Sequence, residues 1–80
     1  MVWMATKHIL RALGEDIRHR RKPLQMSQEA LAHEAGVHRN VIGRIERGIY
    51  NPTVMTLLSI ATELDVPLSE LIESAERRMR

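Results

Sequence analysis

Residues Ser27–Gly48, SQEALAHEAGVHRNVIGRIERG, decide how this chain folds. They read as a short helix, a tight turn and a second short helix. Ser27 is a good N-cap, because its hydroxyl can accept from an unpaired N–H of the first turn. Ala30, Leu31 and Ala35 then share one face at helical spacing. Gly36 stops the helix, since glycine takes a left-handed conformation without penalty. Val37 can plug the corner. A second helix follows, with Val41, Ile42 and Ile45 on its apolar side and Arg39, Asn40, Gly43, Arg44 and Arg47 on the other. That second face is cationic and amide-bearing, with no opposing carboxylate. Arg and Asn suit the guanine and adenine edges exposed in a major groove.

Outward from this stretch, Pro23 biases its predecessor away from helical dihedrals, which predicts that the first helix ends near Lys22. Leu24 and Met26 are expected in the core. The first twelve residues admit two readings. In one, Thr6 caps a helix running through Ile9, Leu10, Leu13 and Ile17, with Gly14 inside it at a cost of about 1 kcal/mol against Ala. In the other they are a frayed tail and the helix starts near Leu13. Trp3 is either folded onto nearby apolar surface or a dimer anchor. Beyond Gly48, Asn51-Pro52 favours a turn and Thr53 can cap the next helix. Val54, Leu57, Leu58, Ile60, Ala61 and Leu64 give that helix a broad apolar stripe, read as buried. Ser69 is expected to cap a last helix carrying Leu71 and Ile72, extended by Ala75 and Met79. The organisation expected is an extension over 1–12, a helix-turn-helix domain over 13–72 and a helical tail over 73–80.

Eighty residues allow one small domain. A chain of this size buries only about 60–65% of its unfolded surface, so a partner subunit is a common remedy. A two-fold homodimer through Leu68, Leu71 and Ile72 is expected, with Trp3 or Met79 contributing. Absence of Cys excludes disulfides and cysteine-based zinc sites. No apolar run approaches the ~18 residues needed to span a bilayer, so a cytoplasmic protein is expected, with no membrane partner. The net charge of +2 is modest. Its distribution says more: Arg18, Arg20, Arg21 and Lys22 form one basic cluster, Arg39, Arg44 and Arg47 another. Trp3 and Tyr50 are the whole aromatic set, which argues against stacking platforms for single strands.

An enzymatic reading fails on spacing. His33-Glu34 resembles the start of a His-Glu-x-x-His zinc site, but the next histidine is His38, five positions on. On a helix that puts the rings on different faces, and Gly36 intervenes. No Gly-rich phosphate loop exists. No catalytic residue, metal or cofactor is expected.

The segments LGEDIRHRRK, MSQEALAHEAGV, IGRIERG and NPTVMTLLSIATELDVPLSELI, from about Leu13 to Ile72, resemble the phage repressor and Cro type of helix-turn-helix protein, the XRE-like family. The resemblance implies an all-α, five-helix, lambda-repressor-like domain that binds double-stranded DNA and regulates transcription, as a dimer on a palindromic operator. It makes Arg39 and Asn40 the leading base readers, with Arg44 one turn on, while Gly43 lets the helix lie close to DNA. Gln28, Arg47 and Asn51 become phosphate contacts. His38 stands where the family often has a capping Ser; it is either an exposed loop residue or a phosphate contact. Arg21 and Glu46 match a structural ion pair across the back of the motif. Gln25 and Asp65 stand where the family usually has Gly, so the exit turn at 25 is expected to differ and a non-Gly left-handed cap is expected at 65. Small members of the family include restriction–modification controllers, antitoxins and phage repressors; Val-His-Arg-Asn-Val-Ile-Gly resembles the controllers. The rival reading is a protein-interaction module, an antitoxin or co-activator, whose partner is a toxin or polymerase.

Overall fold

The computed structural model describes the backbone of residues 2–79 and the side chains of residues 7–79. The Trp3 side chain lies outside the described residues. Among the described residues five α-helices follow one another: α1 (Val2–Arg21), then a 3-10 turn (Lys22–Leu24), α2 (Gln28–Ala35), α3 (Arg39–Glu46), α4 (Val54–Glu63) and α5 (Leu68–Arg78). Among the described residues there is no strand. The expected all-α, five-helix architecture is the observed one.

Helix α1 runs unbroken across residue 12, so position 6 lies inside it and not at its start. Ala12, Leu13 and Ile17 form its buried face, with Ile9 packed alongside. Pro23 cannot donate to the α-helical ladder, so the chain tightens into the 3-10 turn. Gln25 closes it at φ 59°, donating its N–H to the Lys22 carbonyl at 2.9 Å. The left-handed turn therefore forms with glutamine in place of glycine. Asp65 does the same at φ 58°.

Caps set the other helix starts. The Ser27 hydroxyl accepts from Ala30 N at 2.9 Å, and the Thr53 hydroxyl accepts from Thr56 N at 3.1 Å. Ser69 does not cap α5. Pro67, extended at φ −62° and ψ 143°, takes the N-cap position, and its carbonyl accepts from Glu70 N and Leu71 N. The proline's fixed φ turns the chain into the helix before Ser69 is reached.

Ile17, Leu31, Ile42, Ile45, Ile60 and Leu71 are the largest fully buried apolar side chains. They bring α1 against α3 and α5, and α2 against α3 and α4. Three expectations fail here. Leu24 is 48% exposed, because the 3-10 turn points it away from the core. Val54 and Leu58 are exposed at 69% and 43%, together with Met55. The stripe of α4 is wider than the surface its neighbours cover, and only Leu57, Ile60, Ala61 and Leu64 are buried. Leu71 is 0% exposed, so it belongs to the core and cannot meet a partner subunit; Leu68 and Ile72 remain half-buried.

Two close crossings seat the end of α3. A Cβ on Gly14 would collide with the Ile45 carbonyl oxygen and lie 2.8 Å from that of Glu46. A Cβ on Gly48, at φ +73°, would lie 2.9 Å from Arg11 Cα. The helix-weakening glycine in α1 is thus the residue that lets α3 approach. On the opposite face of α1, two residues after Gly14, Asp16 is 2% exposed. Its Oδ1 accepts from Ser74 Oγ at 2.6 Å and Arg78 Nε at 2.9 Å, and its Oδ2 from Arg20 Nε at 2.8 Å. This cluster fastens α5 to α1.

Candidate nucleic-acid interface

Helix α3 divides into two sides. Ile42 and Ile45 are buried and Val41 is half-buried. Arg39, Asn40 and Arg44 are exposed on the other side, continued by Arg47 at the C-cap, with half-buried Gly43 between them. Among the described residues, the ion pairs engage Arg20, Arg21, Arg77 and Arg78. Arg39, Arg44 and Arg47 form no ion pair with a carboxylate among the described residues. Arg forks and an Asn amide on one helix face have the donor and acceptor geometry of base-edge recognition.

His38 is the N-cap of α3. It is exposed, and its Nδ1 accepts from Asn40 N at 3.1 Å. An imidazole thus does the work expected of the family's serine. With Nδ1 accepting, a neutral ring carries its proton on Nε2, leaving that N–H as the outward donor.

Behind α3, Arg21 and Glu46 form a two-pronged pair. Arg21 Nε donates to Glu46 Oε2 at 2.7 Å and Nη2 to Oε1 at 3.0 Å, while Nη1 donates to the Met26 carbonyl at 2.7 Å. Their side chains are only 10% and 3% exposed. The Glu46 hydrogen bonds hold the guanidinium above its ordinary, already high pKa, outweighing the opposite effect of burial. The pair locks the end of α1 to the end of α3 and fixes the entry to α2 through Met26.

Gln28, the first residue of α2, also reaches this pair. Its Nε2 donates to Glu46 Oε1 at 3.0 Å. A Cβ on Gly43 would lie 3.3 Å from Gln28 Oε1, so the space that glycine leaves on α3 is lined by the Gln28 carboxamide. Asn51 is exposed in the loop after α3.

The structure therefore brings Gln28, His38, Arg39, Asn40, Gly43, Arg44 and Arg47 together around α3, with Arg21 and Glu46 behind them. Sequence reasoning missed two features. The Gln28–Glu46 contact spans 18 residues, and Gln28 was expected only as a phosphate contact, with no partner inside the protein. The Asp16 cluster showed one local sign, the helical i,i+4 spacing of Asp16 and Arg20; Ser74 and Arg78 are 58 and 62 residues away.

The helix-turn-helix family HTH_3 matches residues 17–71, more than half of the chain. The chain is 38% identical over 60 residues to control protein C.SmaI of Serratia marcescens, a match covering 75% of this chain and 71% of that protein. It is 38% identical over 66 residues to the HTH-type transcriptional regulator SutR of Escherichia coli, covering 82% of this chain but only 37% of SutR. Among solved structures, the restriction-modification controller protein C.AhdI of Aeromonas hydrophila superposes with a TM-score of 0.75 at 37% identity, over 78% of this chain and 94% of that one. These relatives are named as regulators and controllers, not as enzymes. With α2, the Gly36 corner and α3 in place, the chain belongs to the XRE-type helix-turn-helix family, HTH_3, and is a transcriptional regulator with a DNA-binding domain related to controller proteins.

Proposed function

We propose that the chain binds a palindromic operator in double-stranded DNA as a homodimer and controls transcription by occupancy, in the manner of a restriction–modification controller. The observation that carries this reading is the exposed face of α3, where Arg39, Asn40 and Arg44 have no carboxylate partner among the described residues. Arg39 and Asn40 read bases at the start of the helix and Arg44 reads one turn on. Gln28, His38, Arg47 and Asn51 hold phosphates. Base contacts set the sequence, and phosphate contacts set register and affinity. The relation to C.SmaI and C.AhdI supports the controller assignment.

The second copy covers apolar surface that one chain leaves open. Val54, Met55 and Leu58 lie on one face of α4 by helical spacing, and Ile49 precedes them at 66% exposure. With half-buried Leu68 and Ile72 they form the surface that a two-fold axis brings together. No helix among the described residues is long and apolar enough to cross a membrane, and the cytoplasm is the compartment where such a regulator meets its operator.

Selection of bound duplexes from a random pool, followed by footprinting, tests the reading. The expected product is an imperfect palindrome with half-sites about 10 bp apart on one face of the duplex. An asymmetric or single-stranded motif would overturn it. In sedimentation at micromolar protein, twice the chain mass is expected, and a pair of glutamates at Met55 and Leu58 should give a helical monomer. Wild-type sedimentation as a strict monomer, free and on DNA, would turn the same apolar surface into a site for a different protein, the interaction-module reading.

A further inference from the structure

We propose that Glu46 is a positioning residue for DNA contact: it sets which end of the Gln28 carboxamide faces the duplex. The inference rests on the reading of α3 as a DNA-binding helix and assigns one more part of that surface. Glu46 Oε2 is taken by Arg21 Nε, while Oε1 accepts from both Arg21 Nη2 and Gln28 Nε2. An ionised carboxylate only accepts hydrogen bonds, so it draws the NH2 end of the amide and repels the carbonyl end. That choice has a consequence for the partner. The NH2 group carries two N–H bonds, and one is enough for Glu46. The second is left for an acceptor outside the protein, and a phosphodiester oxygen is an acceptor with no donor of its own.

The other end of the amide is settled by α3. Gln28 Oε1 lies over the bare face of Gly43, where a Cβ would stand at 3.3 Å. Gln28 is thus held between Glu46 on one side and a glycine-sized gap on the other, although the residue is exposed. Arg21 acts one step further back, by holding the nearly buried Glu46 carboxylate in place. The ion pair behind the motif serves the contact in front of it, because a long, exposed side chain that is already ordered loses less freedom on binding.

A double-mutant cycle on duplex affinity tests this. Gln28→Ala should weaken binding to the selected duplex about ten- to a hundredfold, the worth of one hydrogen bond to a charged acceptor. Glu46→Gln should weaken it by a similar factor in the wild-type background and by none in the Gln28→Ala background. Thermal unfolding of the same variants separates fold from contact. Replacing the contacted phosphate by a neutral methylphosphonate should cost the wild type affinity and leave Gln28→Ala unaffected. Equal losses from Glu46→Gln in both backgrounds would overturn the proposal while leaving the DNA reading intact; no duplex binding by the wild type would overturn both. If Glu46→Gln fails to fold, side-chain amide relaxation of the free wild-type protein decides. Gln28 should be as ordered as the backbone and Gln25 mobile, and equal mobility of the two overturns the proposal.

Discussion

Two charged clusters hold α1 to the rest of the molecule, and they differ in where their hydrogen bonds end. Around Asp16, one buried carboxylate takes three donors from α1 and α5, and every contact stays within the far side of the fold. Around Glu46, one buried carboxylate takes two prongs from Arg21 and a third contact from exposed Gln28. The chemistry is alike, since each carboxylate is nearly fully desolvated and multiply hydrogen-bonded. The difference lies in the donors. The Arg20 and Arg78 side chains are 28% and 29% exposed, whereas Arg21 is 10% exposed. A cation that keeps water can lose its partner cheaply; a buried one cannot. The Asp16 cluster is a clasp, while the Glu46 cluster is both a clasp and the back wall of the α3 surface.

The largest effect expected from breaking this pattern is on stability. Arg21→Ala strands the Glu46 carboxylate and should cost about 3–5 kcal/mol, a large share of what so small a domain has. Asp16→Ala should cost less, about 1–3 kcal/mol, because Arg20 and Arg78 can turn to water. Urea unfolding followed by circular dichroism measures both. An Asp16→Ala loss equal to or greater than that of Arg21→Ala would reverse the ranking of the two clusters.

Acid sharpens the same comparison. Burial pushes the Asp16 carboxyl up, but the Ser74, Arg20 and Arg78 hydrogen bonds together outweigh it, so the folded group sits below its ordinary value of 3.8. A folded pKa below the unfolded one contributes stability in full above the unfolded value. That contribution fades as pH falls through the folded pKa. The stability gap between the wild type and Asp16→Asn should therefore be constant near neutrality and shrink below about pH 4. A gap that widened on acidification would mean that Asp16 is not held as the carboxylate.

What the sequence disclosed, and what it hid, divides along the same line. Local signals sufficed for α2, the Gly36 corner and α3, because Ser27, Gly36 and the apolar spacing each act within one or two turns. They failed where tertiary neighbours decide. Val54 and Leu58 looked like core, and no local rule says that the surrounding helices stop short of them. Leu71 looked like surface for a partner, yet α5 turns it inward. Ser69 has the better capping side chain, but Pro67 reaches the N-cap position first. Gln25 shows that a missing glycine does not forbid a left-handed turn, since φ 59° is reached regardless. The faces of α3 were legible from residue type, whereas the wiring of Gln28 to Glu46 needed three dimensions.

On DNA, the front of α3 should separate two kinds of arginine. Arg39→Ala removes a fork able to pair with guanine O6 and N7, and should cost about 1–3 kcal/mol at one base pair while relaxing preference there. Arg47→Ala, at the C-cap, should weaken binding to all sequences alike and reduce the magnitude of the salt slope by about 1. Affinities for the selected site and its single-base variants, over a salt series, distinguish them. Exchange of the two signatures would mean that the helix docks in a different orientation.

The smallest effect expected is at Gly43, where fold and contact pull in opposite directions. Alanine in a helix interior is favoured over glycine by up to about 1 kcal/mol. The added Cβ meets only the flexible end of Gln28, at 3.3 Å from Oε1, and the amide can move aside by a few tenths of an ångström. Gly43→Ala should therefore unfold at a slightly higher temperature than the wild type. The same displacement pushes the carboxamide off the line between Glu46 and the duplex, so affinity should fall, and it should fall only while Gln28 is present. Thermal unfolding and duplex titration on Gly43→Ala, alone and combined with Gln28→Ala, give the four numbers needed. A variant that gains stability and keeps full affinity would show that the empty face of α3 is there for another reason, and the link drawn from Glu46 through Gln28 to DNA would lose its second support.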